Sequence, residues 1–418
     1  MVDFKSIVKE QREELDRITT CENIIDREAL IDARKYLSRP NVLVITGIRR
    51  CGKSIFSYLL DKEKIFAYIN FDDERLSNML TEELDSLLSA IYELYGEIEH
   101  IILDEIQNIK GWELFVNRLR RTKKVIITGS NSNLLSSELA THLTGRHIDI
   151  KLFPFSFKEF LLYKKFSLSN AYTTKEKAEL LQLLEEYITL GGMPESYKFG
   201  NQILVGIYED IITKDILLRH DITKNVEFKN LARYLITNSG TEISYSKIGE
   251  TLNIGHVSTV SNWASYLENA FLFFKVERFD FKLKKQYLSN KKFYCIDTGL
   301  INSIGFKFSE NKGRLMENLV AIELQRRKIS DNIETYFWKD AVNKEVDFII
   351  KKDTKIRELI QVTYANSKIE IKDREIESLR KASKELKCSN TTIITWNYEA
   401  EIENIQYIPL WKWLIEKR

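Results

Sequence analysis

The spacing of apolar and polar residues changes character several times along the chain. Asn41-Val42-Leu43-Val44-Ile45-Thr46 is a short apolar run rich in β-branched residues, which predicts a buried strand. Comparable runs recur at Ile65–Phe71, His100–Leu103, Lys124–Thr128 and Ile148–Leu152. Segments of helical spacing lie between them, so the first third predicts a parallel sheet with helices on both faces. Charged helical sequence (Lys5 to Glu10, Arg27 to Tyr36) leads into the first strand. From 155 to 235 the period is helical, over Ser156–Tyr163, Thr174–Leu190 and Ile203–His220. The turn Gly191-Gly192-Met193-Pro194 interrupts it. Glu242–Leu252 then predicts a short helix ending at Asn253-Ile254-Gly255, and His256–Leu267 a second helix. Phe271–Asp280 and Lys291–Ile296 are strand-like runs around a lysine-rich tip. Together these predict a helix-turn-helix with a wing. The last hundred residues alternate again: helix Arg314–Arg327, strands Thr335–Lys339, Val346–Lys351 and Ile356–Thr363, helix Lys372–Leu386 and strand Thr391–Thr395.

Composition narrows the class without naming a task. At 418 residues the chain is too long for one ordinary core. Its 44% apolar and 30% charged content is that of a globular protein. No apolar run reaches membrane-spanning length and no signal-peptide pattern opens the chain, so no membrane partner and a cytoplasmic location are expected. The net charge of +2 means that any nucleic-acid surface must be local. Cys21, Cys51, Cys295 and Cys388 are scattered, which predicts neither a disulfide framework nor a zinc site.

The chemistry begins at Gly47-Ile48-Arg49-Arg50-Cys51-Gly52-Lys53-Ser54. This is G-x-x-x-x-G-K-S between a strand and a helix, the phosphate-cradling P-loop. Its glycines let successive N–H groups face one anion, and the helix N-terminus adds positive potential. Lys53 is expected on the β- and γ-phosphates of ATP and Ser54 on Mg²⁺. His100-Ile101-Ile102-Leu103-Asp104-Glu105 fits a Walker B strand: Asp104 orders the metal and Glu105 polarises the attacking water. Both carboxylates also suit a helix cap. Val125–Thr128 followed by Gly129-Ser130-Asn131-Ser132 is another buried strand with a polar tip. Beside the Walker B strand it would aim Ser130 or Asn131 at the γ-phosphate. Arg146 precedes the last strand and is expected either to reach phosphate charge, in cis or from a neighbouring subunit, or to form a structural ion pair.

Several further segments occur in a fixed order: Tyr68-Ile69-Asn70-Phe71-Asp72-Asp73-Glu74-Arg75, Leu143-Thr144-Gly145-Arg146, Phe153-Pro154-Phe155-Ser156-Phe157-Lys158-Glu159-Phe160 and Leu190-Gly191-Gly192-Met193-Pro194-Glu195. With the P-loop and the Walker B strand, they make the chain resemble a family of archaeal and bacterial P-loop ATPases of the AAA+/ASCE type. The resemblance spans the whole chain, including a C-terminal domain of unknown function. It implies an Mg-ATPase core, a sensor at Ser130 or Asn131 and a functional Arg146, and it implies no cellular task.

Two C-terminal features invite functional readings. From 271 to 295, Lys275, Arg278, Lys282, Lys284, Lys285, Lys291 and Lys292 face only Glu277 and Asp280 in the count of charges. Such a patch suits DNA phosphates, through residues 244–292, or a protein partner. Farther on, Glu317 on a helix and Asp347 on a strand match the PD-(D/E)xK nuclease layout. The E-x-K position, however, reads Gln361-Val362-Thr363. Gln361 offers an oxygen without charge, and Thr363 cannot replace an ammonium, so nuclease activity is not expected. Glu358 and Lys368 stand nearby as alternatives, and nothing in the sequence requires either.

The expected fold class is α/β in four parts: a P-loop NTPase parallel sheet (1–153), a helical subdomain (154–235), a winged helix-turn-helix (236–310) and a restriction-endonuclease-like α/β domain without activity (311–418). The expected function is ATP binding with Mg-dependent hydrolysis that drives a conformational switch, with oligomerisation open. A DNA-associated module regulated by ATP and a protein-interaction switch without nucleic acid are the alternatives.

Overall fold

The computed structural model describes residues 3–131, 143, 145–169, 171–306 and 311–416. Ser132 and Thr144 of the segments quoted above lie outside them. The four expected parts fall into two compact units, one of residues 1–155, 162–166 and 269–271, the other of the remainder.

The first unit contains α1 (Phe4–Cys21), α2 (Leu30–Arg34), β1 (Val42–Thr46), α3 (Lys53–Asp61), β2 (Phe66–Asn70), α4 (Leu84–Tyr95), β3 (His100–Asp104), α5 (Trp112–Leu119), β4 (Lys124–Gly129) and β5 (His147–Lys151). The five strands pair in parallel in the order β2-β3-β4-β1-β5. β1 is buried at all five positions, as its unbroken apolar run requires of a central parallel strand. The edge strand β2 is covered by α1. Gln11 donates to the Asn70 carbonyl at 3.0 Å and accepts from its N–H at 2.9 Å, and Arg12 donates to the Phe66 carbonyl at 3.1 Å. An exposed edge is thereby closed to further pairing.

The second unit begins with α6 (Phe157–Tyr163; its last two residues belong to the first unit), α7 (Thr174–Leu190), α8 (Ser196–Phe199) and α9 (Gln202–Asp210). The single helix expected from Ile203 to His220 changes its winding, because Ile211–Leu217 is π-helical. Next come α10 (Asn225–Thr237), β6 (Glu242–Ile243), α11 (Tyr245–Thr251), α12 (Val257–Asn269), β7 (Phe273–Arg278), α13 (Leu283–Leu288), β8 (Lys291–Cys295) and α14 (Thr298–Ile304). The C-terminal part has α15 (Lys312–Ser330), β9 (Glu334–Lys339), β10 (Glu345–Lys352), β11 (Lys355–Val362), α16 (Asp373–Leu386), β12 (Thr391–Thr395), β13 (Ala400–Ile402), β14 (Ile405–Pro409) and α17 (Leu410–Ile415). The last three elements were not anticipated.

One sheet of nine strands runs through this unit, in the order β13-β14-β12-β11-β10-β9-β7-β8-β6. β7 pairs with β8 through Phe273–Val276, and with β9 only through Glu277 and Arg278. The sheet therefore turns at β7 and joins the hairpin to the C-terminal strands. The turn Gly191-Gly192 is packed onto Asp297, whose carboxylate accepts from the N–H groups of Gly192 at 2.6 Å and Leu300 at 3.1 Å. Gly191 has φ +77°, and a Cβ there would lie 2.1 Å from the Asp297 carboxylate. Among the described residues no helix is long and apolar enough to cross a membrane.

Candidate nucleotide site

The P-loop follows β1 and wraps the N-terminus of α3. Two of its residues, Arg50 (φ 66°) and Gly52 (φ 95°), adopt the left-handed conformation that curls the loop. Gly47 has a different reason: a Cβ there would lie 2.2 Å from the Leu152 carbonyl oxygen. Cys51 is buried with its thiol 3.6 Å from that same oxygen, and burial pushes the thiol above its ordinary value. Beneath the loop the buried Arg27 donates to the carbonyls of Cys51 at 3.2 Å and Phe153 at 2.6 Å. The sequence reading missed Arg27, which sits in a short charged segment with no motif around it.

The Lys53 ammonium is folded onto the loop. It donates to the carbonyls of Gly47 at 3.2 Å and Ile48 at 3.3 Å and stands 3.6 Å from Glu105 Oε1. Arg49 lies 3.6 Å from Asp72. The strand order makes the constellation possible. β4 lies between β1 and β3, so the P-loop, the Ser130 tip and the Asp104-Glu105 pair emerge side by side at the strands' C-terminal ends.

Asp104 is buried, and its oxygens accept from Tyr68 at 2.7 Å and from Thr128, with Ser54 also hydrogen-bonded to it. Burial, reinforced by the neighbouring Glu105 charge, pushes its carboxyl above the usual aspartate value, while the three hydroxyls pull it back. Glu105 has the opposite balance. Burial opposes its ionisation, but Lys53, the Gln107 amide, Arg49 and the Ser130 N–H outweigh it and hold the carboxyl below the usual glutamate value. Its backbone is left-handed (φ 54°), a conformation that costs a non-glycine residue about 1–3 kcal/mol and often accompanies function. Ser130 donates to Glu105 Oε2 from its N–H and its hydroxyl, each at 3.3 Å, and Asn131 is buried beside it. Tyr68 and Thr128 are the partners of Asp104 that sequence reasoning did not assign. Tyr68 stood within a quoted segment and carried no distinguishing signal of its own.

The donor set suits Mg²⁺: a hydroxyl and a carboxylate, both hard oxygens, already in hydrogen-bond contact at the mouth of the loop.

The cis role for Arg146 is corrected. Arg146 is exposed and precedes β5, with its carbonyl accepting from Val42 at the start of β1. β1 and β5 are parallel, so Arg146 sits at the opposite end of the strands from the P-loop. The five residues of β1, Val42–Thr46, separate them, about 16 Å of rise.

The C-terminal positions converge on a lysine. Glu317 on α15, Glu345 and Asp347 on β10, and Gln361 on β11 share a region whose centre is Lys292 of β8. The Lys292 ammonium is 2.9 Å from Glu317, 2.6 Å from Glu345 and 3.7 Å from Asp347, and its side chain is 3% exposed. Tyr294 donates to the same Glu317 oxygen at 2.7 Å. Burial pushes the Asp347 carboxyl well up, and Glu317 adds to that. The buried Asn318 fixes α15 against β8, accepting from the Cys295 N–H at 3.0 Å and donating to its carbonyl at 2.9 Å. Thr363 is engaged with Glu375. The two nearby alternatives lie elsewhere: Glu358 accepts from Thr392 at 2.6 Å, and Lys368 is exposed. The basic patch loses a member accordingly, because Lys292 faces acids inside the protein. Lys275 pairs with Glu268 at 3.0 Å, while Lys282, Lys284 and Lys285 are exposed.

A family model described as an AAA domain matches residues 39–161, and two models described as domains of unknown function match residues 181–311 and 312–413. Uncharacterized protein MJ1544 of Methanocaldococcus jannaschii is 37% identical, over 94% of this chain and 94% of its own. An uncharacterized protein of Haemophilus influenzae is 32% identical over 93% of this chain and 100% of its own. Among solved structures, the Walker-type ATPase PABY2304 of Pyrococcus abyssi aligns over 67% of this chain and 96% of that one, with 15% identity and a TM-score of 0.44. Cdc6p of Pyrobaculum aerophilum aligns over 75% and 95%, with 14% identity and a TM-score of 0.26. With an AAA domain around its P-loop and two relatives above 30% identity along almost its full length, the chain belongs to the family of MJ1544 and its Haemophilus influenzae counterpart.

Proposed function

We propose that the chain binds ATP at the P-loop and hydrolyses it, and that turnover switches the conformation of the parts beyond residue 155. The observation that carries this reading is the contact of Lys53 with Glu105, beside an Asp104 already bonded to Ser54. Lys53 exchanges the Gly47 and Ile48 carbonyls for the β- and γ-phosphates. Ser54 and Asp104 hold Mg²⁺, which neutralises phosphate charge when bound. Glu105, ionised at neutral pH, accepts the proton of the attacking water. Ser130 shares the Glu105 carboxylate and fixes where that water sits, and Asn131 touches the γ-phosphate. Arg146 serves phosphate charge only in trans, from a second copy of the chain. Fluorescent-nucleotide titration and phosphate release test the core reading: Lys53→Ala should abolish ATP binding. Wild-type binding and turnover in that variant would sink it.

A second reading, that ATP regulates a DNA-associated module, is favoured by the hairpin tip. There Lys282, Lys284 and Lys285 are exposed together with Phe281 and Tyr287. In this reading the order α10-β6-α11-α12-β7-β8 is a winged helix whose tip neutralises phosphates. Duplex binding should weaken with salt and disappear when the three lysines become alanine. Binding that ignores both would leave a protein partner as the reading for the tip.

A further inference from the structure

The hairpin tip between β7 and β8 presents more than charge. Phe281, Leu283, Tyr287 and Leu288 are exposed at 74%, 64%, 66% and 76%. They interleave with Lys282, Lys284 and Lys285, none of which has a carboxylate partner among the described residues. We propose that the tip binds unpaired DNA, with Phe281 and Tyr287 stacking on bases and the three lysines lying on phosphates. This rests on the DNA-associated reading above and names its ligand as a single strand rather than a duplex.

Three observations carry this. The first is the concentration of apolar surface. A lone exposed apolar side chain is ordinary, but Phe281, Leu283, Tyr287 and Leu288 fall within one short segment and leave a patch that a partner would cover. The second is the order of residues around α13. At roughly 100° per residue, Lys284 falls between Tyr287 and Leu288, so charge and apolar surface alternate around the helix. A helix that lies in a lipid interface separates the two onto opposite faces. A single strand alternates in the same way, with a phosphate and a flat base in every nucleotide, and rings laced with cations match that repeat. In a duplex the base faces are already stacked on one another, so the rings match unpaired bases. The third observation is that the tip is held in place. Gln286 is buried, donates to Glu277 of β7 at 3.1 Å and is hydrogen-bonded to Tyr336. Asp280 accepts from the Lys282 N–H at 2.8 Å, and Lys291 donates to the Tyr287 carbonyl at 3.1 Å. Phe281 meets Phe279 with ring centroids 5.2 Å apart and planes at 79°.

A surface fixed before its ligand arrives loses less entropy on binding. The lysines supply attraction that salt weakens, and the rings supply stacking that salt leaves alone. The two contributions are therefore separable in solution.

The test uses the full chain with fluorescently labelled oligo(dT), the matching duplex and phosphatidylglycerol vesicles. Anisotropy should show wild type binding oligo(dT) more tightly than duplex. Phe281→Ala combined with Tyr287→Ala should weaken oligo(dT) binding roughly tenfold or more, and should leave duplex binding and both salt slopes unchanged. Changing the same pair to leucine should lose as much, and changing it to tryptophan should lose nothing, because stacking needs a ring rather than apolar area. Replacing Lys282, Lys284 and Lys285 by alanine should lower the slope of log affinity against log salt on oligo(dT) by about 2. The Tm should not move in any variant, since every position is exposed. Duplex binding that needs the lysines, with oligo(dT) binding indifferent to the two rings, overturns the inference and leaves the DNA-associated reading standing. Binding to neither DNA overturns both. Full oligo(dT) affinity in the leucine pair, or tip-dependent binding to the vesicles with none to oligo(dT), overturns the inference in favour of an apolar partner.

Discussion

Replacing Glu105 by glutamine should move nucleotide affinity and turnover in opposite directions. The Lys53 ammonium and the Glu105 carboxylate are 3.6 Å apart and both largely buried. At an effective dielectric constant near 20, two unit charges at that distance attract by ~4–5 kcal/mol. Much of this persists when phosphates arrive, since Lys53 does not leave the neighbourhood. The part that ATP must displace is on the order of 1–2 kcal/mol, so the glutamine variant should bind ATP roughly fivefold to thirtyfold more tightly. Its amide oxygen still accepts from Ser130, so the strand tips should hold their places. The variant has no base, however, and general-base assistance is worth about 10²- to 10⁴-fold. Isothermal titration gives the first quantity and steady-state phosphate release the second. Affinity weakened tenfold, or turnover within threefold of wild type, would falsify the assignment of Glu105 as the base facing Lys53.

Three further outcomes follow from the geometry. Arg146→Ala should leave turnover of the dilute, monomeric chain unchanged, because Arg146 lies at the far end of β5; a hundredfold loss there would contradict the strand order. Gly299→Ala should destabilise by about 1–3 kcal/mol in urea unfolding, since its Cβ would meet the Leu190 carbonyl oxygen at 2.1 Å and backbone must shift; an unchanged midpoint would contradict that packing. Burial raises the Asp297 carboxyl from 3.8 to about 6 against the pull of the Gly192 and Leu300 N–H groups. The folded chain therefore holds this proton more tightly than the unfolded chain. Its contribution, on the order of 3 kcal/mol, is full below pH ~4 and lost as pH rises through ~6. Urea midpoints from pH 4 to 7 should show that slope in wild type and lack it in Asp297→Ser, and equal slopes would refute it.

The sequence by itself determined the local pieces. Unbroken apolar runs specified β1, β3 and β4, because a strand covered on both faces has no polar side to show. The G-x-x-x-x-G-K-S spacing specified a curled loop on a helix N-terminus, because few residues other than glycine adopt the required backbone. Asp104 and Glu105 were legible because they end an apolar strand. Tertiary structure decided which of these pieces meet. Periodicity reports burial but carries no strand order: the insertion of β4 between β1 and β3 brings Ser130 to Glu105, and the parallel pairing of β5 with β1 puts Arg146 at the far end from the P-loop. Tyr68 and Thr128 read as ordinary strand residues until their hydroxyls met Asp104. The lysine absent from the Gln361-Val362-Thr363 position shows the same limit most clearly. β8 is three strands from β10 in pairing order, and only the turn of the sheet at β7 lets Lys292 reach the acids. A charge counted by sequence as surface became the counter-ion of a buried site, because its partners lie 25 to 55 residues further along the chain.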